Sequence, residues 1–257
     1  MIKVTIIGSG NVAQHLIVAF EKSKKEVPDV ELIQVFSRKL ETIAHLLDYN
    51  RITTDYNQLL EADLYIIAVS DDAIVAVNSQ LPFKNRLVVH TSGSVPLTAL
   101  NEENRKGVFY PLQTFTKNKE VDFKTIPICL ESENATDYQL LDKVAKSISN
   151  AIFAINSEQR KALHVAAVFV NNFTNHLYQI GSEICEENQV SFEILKPLIA
   201  ETANKIMLLS PNDAQTGPAK RNDIATIEAH EAFITNQNHL NIYKILTQSI
   251  QHNGKKL

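Results

Sequence analysis

Over the first 155 positions, short dense runs of apolar residues alternate with longer stretches in which apolar residues recur every three to four positions. The runs are Ile2–Ile7, Leu32–Phe36, Leu64–Val69, Leu87–His90, Gly107–Tyr110, Pro127–Leu130 and Ala151–Ile155. Each is short and nearly all apolar, as a strand buried on both faces should be. Between them, Asn11 to about Lys25 places Val12, Ala13, Leu16, Ala19 and Phe20 on one helical face. Leu40–Leu47 reads as a short helix. Ser70, Asp71 and Asp72 stop the third run, and the aspartates suit the N-cap of a helix to about Gln80. Ala135–Ser149 reads as an amphipathic helix. Repeated strand–helix units of this kind predict an α/β fold, a doubly wound parallel sheet.

The pattern changes near Asn156 and Ser157. Glu158 to about Asn188 has no proline and keeps helical spacing, which predicts a helix of roughly 30 residues against a usual ~11–12. Ser191–Leu209 is a second helix, with Ser191 as cap. Pro197 falls within it, so a kink or a broken start is expected. Asp223 to about Asn236 and Leu240–His252 are a third and a fourth. The second half is therefore all-helical. The expected division is a sheet domain over 1–156 and a helical substrate and dimerisation domain over 157–257.

Composition narrows the partners. The 257 residues are 44% hydrophobic and 21% charged, ordinary globular values. A net charge of -4, with no basic stripe, gives no reason to expect nucleic acid or an anionic membrane. No apolar run approaches the ~20 residues of a membrane span. Cys129 and Cys185 are far apart and form no metal spacing. A reduced, cytoplasmic protein is expected, without metal.

Gly8-Ser9-Gly10-Asn11-Val12-Ala13 is a GxGxxA sequence after a predicted strand and at the head of a predicted helix. The first glycine permits a tight turn, the second lets the backbone approach a pyrophosphate, and the third position needs only a small residue. The helix then points its amide end at the phosphates. In this context the sequence predicts dinucleotide binding. An acidic residue that binds the ribose 2′-hydroxyl belongs at the end of the second strand. Glu31 precedes that strand, at its wrong end, and Ser37-Arg38-Lys39 stand at the correct one. A hydroxyl and two cations favour a 2′-phosphate, hence NADP.

These segments, with Ala68-Val69-Ser70-Asp71-Asp72-Ala73-Ile74, resemble the N-terminal domain shared by pyrroline-5-carboxylate reductases, deazaflavin-dependent NADP reductases and β-hydroxyacid dehydrogenases. Ser37-Arg38 is similar to the doublet of the NADP-binding members. His90-Thr91-Ser92-Gly93-Ser94, Phe109-Tyr110-Pro111-Leu112-Gln113-Thr114-Phe115, His164 with Asn171-Asn172, and Thr216-Gly217-Pro218 before Arg221 and Asp223 look like bacterial Rossmann-like oxidoreductases with a C-terminal domain of unknown function. The resemblance implies a Rossmann domain, a nicotinamide cofactor, a small-molecule substrate and helices that pair two subunits into a homodimer. Cofactor contacts are expected at the glycine turn (Gly8, Ser9, Gly10, Asn11, Val12), at Ser37 and Arg38, at Val69 and Ser70 where the third run ends, and at His90, Ser92 and Gly93 at the end of the fourth, where open α/β sheets bind ligands, unless His90 is a solvent-facing strand end. One departure stands out. β-Hydroxyacid dehydrogenases carry a catalytic lysine one turn before an asparagine of the long helix, and here that position is Val168.

On the long helix His164, Val168, Asn171 or Asn172, and Asn175 fall along one stripe at α-helical spacing, within the otherwise apolar stretch Ala162–Phe173. His164 can protonate a developing alkoxide or amine as hydride arrives, and Asn171 or Asn172 can orient a carbonyl or the nicotinamide amide. The same residues can equally be a structural histidine and domain-bridging asparagines. Two functions follow: an NADP-dependent oxidoreductase acting on a small carbonyl or imine, or a catalytically silent NADP-binding sensor or scaffold, which Val168 favours. Arg221 and Asp223 read as a brace for their loop or as an anion contact.

Overall fold

A computed structural model describes residues 1–117 and 119–253, the side chain of Asn253 excepted. The elements run β1 (Ile2–Ile7), α1 (Asn11–Ser23), β2 (Val30–Phe36), β3 (Ile52–Thr53), β4 (Leu64–Ile67), α2 (Ile74–Asn78), β5 (Leu87–His90), β6 (Arg105–Pro111), β7 (Ile128–Ser132), α3 (Ala135–Ile148) and β8 (Ile152–Ala154). Helices follow: α4 (Ser157–Ala167), a π-helical segment Val168–Phe173, α5 (Thr174–Glu187), α6 (Lys196–Lys205), α7 (Pro211–Ala214), α8 (Pro218–Arg221), α9 (Ile224–Phe233) and α10 (Gln237–Asn253). The chain divides into two compact units, Met1–Asn171 and Asn172–Leu257.

The first unit is one sheet of order β3-β2-β1-β4-β5-β6-β7-β8. Every pair is parallel except β6 with β7. Val4, Ile6, Leu16, Ile17, Leu64, Ile66, Val89, Leu141 and Val144 share one core between one sheet face and helices α1 and α3. Ile7, Tyr65, Ile67, Ile74, Val88 and Leu100 form the other, with α2. Burying each such side chain contributes about 1.5–3 kcal/mol, so the sheet is a stiff platform for its edges.

Local details depart from expectation. Leu40–Leu47 holds only a 3-10 turn at Leu40–Thr42 rather than a helix. The helix after Asp72 stops at Asn78, and β3 is too short for a two-residue period to announce it. β2 begins at Val30 and so includes Glu31 near its amino end. A 3-10 turn, Phe192–Leu195, opens the second helix of the sequence, which puts Pro197 in the first turn of α6, where a missing amide costs nothing. The long helical stretch does run from Ser157 to Glu187, but Val168–Phe173 is π-helical.

The second unit is helical. Asp223 caps α9 through the Thr226 amide at 3.2 Å, and Arg221 approaches that carboxylate at 3.9 Å, the arrangement of a brace. His239 meets Glu183 at 3.1 Å and His230 meets the Tyr243 hydroxyl at 2.9 Å. Met207 is 81% and Leu208 88% exposed, with Ile206 and Leu209 half-exposed beside them. Among the described residues no helix is long and apolar enough to cross a membrane, and no cluster of His, Cys, Asp and Glu is arranged to hold a metal.

Candidate functional site

Strand register assembles one edge of the sheet. Ile7 lies beside Phe36 on one side and Ile67 on the other, Ile67 beside His90, and His90 beside Val108. The residues that follow these positions therefore emerge at one carboxyl edge: Gly8–Asn11, Ser37–Lys39, Ala68–Asp71, Thr91–Gly93 and Tyr110. The chain winds outward from β1 in both directions, so the switch point, where open α/β sheets bind ligands, lies between β1 and β4.

Gly8 has φ +136, and a Cβ there would lie 2.1 Å from the Ala68 carbonyl oxygen. Its amide donates to the Phe36 carbonyl at 2.9 Å. Only glycine fits this turn. Gly10 is different: it is exposed, and a Cβ would meet nothing within 4 Å. No side chain caps α1. Its first-turn amides have no intrahelical partners and face outward at the positive end of the helix dipole. The Ser9 carbonyl accepts from the Gln14 side-chain amide at 2.9 Å, and Asn11 Nδ2 donates to the Phe115 carbonyl at 3.0 Å. Val12 packs partly against the core.

At the end of β2 the Ser37 side chain is fully buried. Its hydroxyl donates to the Lys39 carbonyl at 2.7 Å, and its amide to the Thr53 carbonyl at 3.0 Å. Ser37 thus shapes the turn, and Arg38 and Lys39 are the exposed groups. Glu31 sits at the opposite strand end, with its carboxyl held below the usual range by Lys24 at 2.8 Å. Beyond β4, Val69 is partly buried beside Gly8 and Ser70 is exposed.

The other end of the edge is closed and internally bonded. His90 is 0% exposed, and its Nδ1 accepts from the Ser92 amide at 3.2 Å. Burial, with help from the Arg160 charge, pushes His90 down to about 4, so the ring is neutral and carries its proton on Nε2. Among the described residues that Nε2 has no partner at hydrogen-bond distance, the Pro96 carbonyl acting on it only weakly. Ser92 Oγ accepts from the Ser94 and Val95 amides, both at 3.0 Å. His90 and Ser92, expected as cofactor contacts, are therefore the buried supports of the Thr91–Val95 turn.

Gly93 tops that turn. A Cβ there would lie 2.5 Å from His164 Nδ1 and 2.8 Å from Tyr110 Cζ. The Tyr110 hydroxyl and His164 Nδ1 are 3.0 Å apart, and burial pushes the phenol up to about 12. His164 reaches this corner because α4 is pinned one turn earlier. Arg160 is 1% exposed, forms an ion pair with Glu131, and donates to the Val95 carbonyl at 2.6 Å. Glu131 also accepts from the Ser157 amide at 2.9 Å. Arg160 and His164 are four residues apart and share a helix face.

Asn171 and Asn172 lie in the π-helical segment and are exposed. The extra residue per π turn rotates everything after it, so the stripe drawn at α-helical spacing does not hold past Val168. Tyr110 and Arg160 carry no local signal of their role, because their partners lie 54 and 29 residues away in sequence.

A strand, a glycine turn and a helix at the switch point of an open sheet define a Rossmann-type protein. Comparison with known proteins agrees. The model of a family described as NADP oxidoreductase, coenzyme F420-dependent, matches residues 3–93, and that of the domain of unknown function DUF2520 matches residues 126–250. A Bacteroides fragilis crystal structure described as a putative NADP oxidoreductase is 36% identical, covers 98% of each chain and superposes with a TM-score of 0.86. The chain belongs to this family of NADP oxidoreductases. The pyrroline-5-carboxylate reductase of Streptococcus pyogenes shares the fold at 16% identity, with 100% of this chain and 99% of that one covered and a TM-score of 0.64. So does the Plasmodium falciparum pyrroline carboxylate reductase with NADP bound, at 12% identity, 98% and 100% coverage and a TM-score of 0.61. No curated protein matches the sequence significantly.

Proposed function

We propose that this chain transfers hydride between NADP(H) and a small carbonyl or imine substrate, with His164 as the proton donor. The observation that carries this reading is the corner of Gly93, Tyr110 and His164 on the same sheet edge as the Gly8–Ala13 turn. The turn fits a pyrophosphate: Gly10 leaves the space open, and the uncapped end of α1 offers amides to an anion. Arg38 and Lys39, held out by Ser37, suit a 2′-phosphate. The family description and the Bacteroides fragilis relative, both NADP oxidoreductases by their descriptions, point the same way. Bound NADPH supplies the hydride. The protein's part is to orient the acceptor and deliver a proton from His164 to its oxygen or nitrogen. This assignment does without the lysine that Val168 replaces.

The helical residues from 157 onward carry the substrate and dimer contacts in this reading. Met207, Leu208 and their exposed apolar neighbours need a cover, and a second copy of the chain supplies it. The two free cysteines suit the reducing cytoplasm. A screen of small carbonyls and cyclic imines, followed by NADPH absorbance in both directions, tests the reaction. NADPH binding without turnover of any candidate would put the sensor reading ahead.

A further inference from the structure

The geometry points to Tyr110 and Gly93 as a positioning pair that commits Nδ1 of His164 to the protein and leaves Nε2 as the atom that exchanges protons with substrate. This deepens the assignment of His164 as proton donor and rests on it.

The Tyr110 hydroxyl hydrogen-bonds to the His164 ring and to no other group among the described residues. It is a matched partner in both charge states of the ring. When the imidazole is neutral and Nδ1 is bare, the phenol O–H donates to it. When the ring is an imidazolium, Nδ1–H donates to the phenol oxygen. A half-wet histidine without such a partner samples both tautomers. Burial of the phenol keeps it protonated, so it stays a hydrogen-bonding partner and does not ionise. The Asp71 carboxylate adds to this rise, and the Arg160 charge opposes it.

Gly93 sets the distance. Its missing side chain is what lets the tyrosine ring and the histidine meet, since an added Cβ would press on Nδ1 and Cγ of His164 and on Cζ of Tyr110 together. Neither contact is with a flexible chain end, so a methyl group must displace at least one ring. The lock of Arg160 on Glu131 and Val95 holds the backbone of α4 and of the turn, so the displacement falls on the side chains.

In the reducing direction, bound NADPH would supply the hydride for the new C–H bond. The π pair of the C=O or C=N bond moves to the heteroatom. His164 enters this step as the imidazolium, its Nδ1–H held by the Tyr110 oxygen; the substrate atom takes the Nε2 proton, the ring is left neutral, and a proton from water restores the imidazolium.

The test reads the tautomer directly and needs no cofactor. The unliganded protein, labelled with 15N in its histidine rings, is examined by long-range proton–nitrogen correlation at a pH where His164 is neutral, with His164→Gln to assign the signals. We expect wild-type Nδ1 to have the shift of a bare nitrogen and Nε2 that of a protonated one. Tyr110→Phe, which keeps the ring and the packing, moves both toward the average of a tautomer mixture, and Gly93→Ala does the same. If Gly93→Ala fails to fold, Tyr110→Phe decides alone. A protonated Nδ1 in the wild type, or a Tyr110→Phe tautomer equal to wild type, overturns the proposal. Turnover separates it from the reading beneath it. Tyr110→Phe lowers kcat about tenfold, the worth of one hydrogen bond, with NADPH affinity unchanged. Should the tautomers behave as expected while His164→Ala turns over like wild type, the positioning stands and the catalytic role of His164 falls.

Discussion

The two ends of the sheet edge are built on opposite plans. At Gly8–Asn11 and Ser37–Lys39 the groups a ligand would use are left open: Gly10 has room, α1 has no cap, and Arg38 and Lys39 are exposed. At Thr91–Gly93, Tyr110 and His164 nearly every polar group is already spent on another. An open end suits a charged ligand that brings its own hydrogen-bond acceptors. A closed end suits chemistry that needs one ring held still. The contrast makes separable predictions: changes at the open end should act on cofactor affinity, and changes at the closed end on turnover or stability.

The largest effect is expected at the closed end. His164→Ala should lower kcat by about two to four orders of magnitude while NADPH affinity stays near wild type, as loss of a general acid does. A comparable loss of affinity would mean that His164 holds the cofactor instead. Next come the two glycines. A Cβ at Gly10 meets no protein atom within 4 Å, so Gly10→Val should fold with a melting temperature near wild type, yet take up neither cofactor in calorimetry, because the branched side chain occupies the pyrophosphate's space. Gly8→Ala should instead unfold easily, since its Cβ collides with the Ala68 carbonyl. Equal stability in the two variants would erase the distinction between an open and a structural glycine.

A further effect concerns pH. His90 falls from 6.5 to about 4 in the folded chain. Between these values the unfolded chain binds a proton that the folded chain refuses, so stability is full above about 6.5 and declines as pH falls toward 4. The two to three units between them amount to about 3 kcal/mol. Denaturation across this range should show His90→Gln with a flatter pH dependence than wild type. An unchanged slope would show that the buried ring is not the source.

The open end was the legible one. Apolar runs, a glycine spacing and a basic doublet are local features, and they place β1, α1, the turn and the end of β2 from a dozen residues each. Local pattern does not carry strand direction, so the antiparallel pairing of β7 on β6 was not foreseen. Nor does an α-helical period reveal a π turn, which is why Asn171 and Asn172 left the stripe drawn through His164. Residue type marked Ser37, His90 and Ser92 as ligand contacts, but their polar atoms are bound within their own turns. Tyr110 stood in a quoted motif without a role, because the role belongs to its contact with a helix 54 residues away.

Calorimetry of NADP(H) and NAD(H) against the wild type and Arg38→Ala tests the cofactor assignment most directly. The wild type should bind NADPH more tightly than NADH. Arg38→Ala should weaken NADPH about ten- to a hundredfold, the worth of hydrogen bonds to a charged phosphate, and leave NADH unchanged. Equal or tighter binding of NADH by the wild type would contradict the assignment and leave the cations at the end of β2 without a ligand.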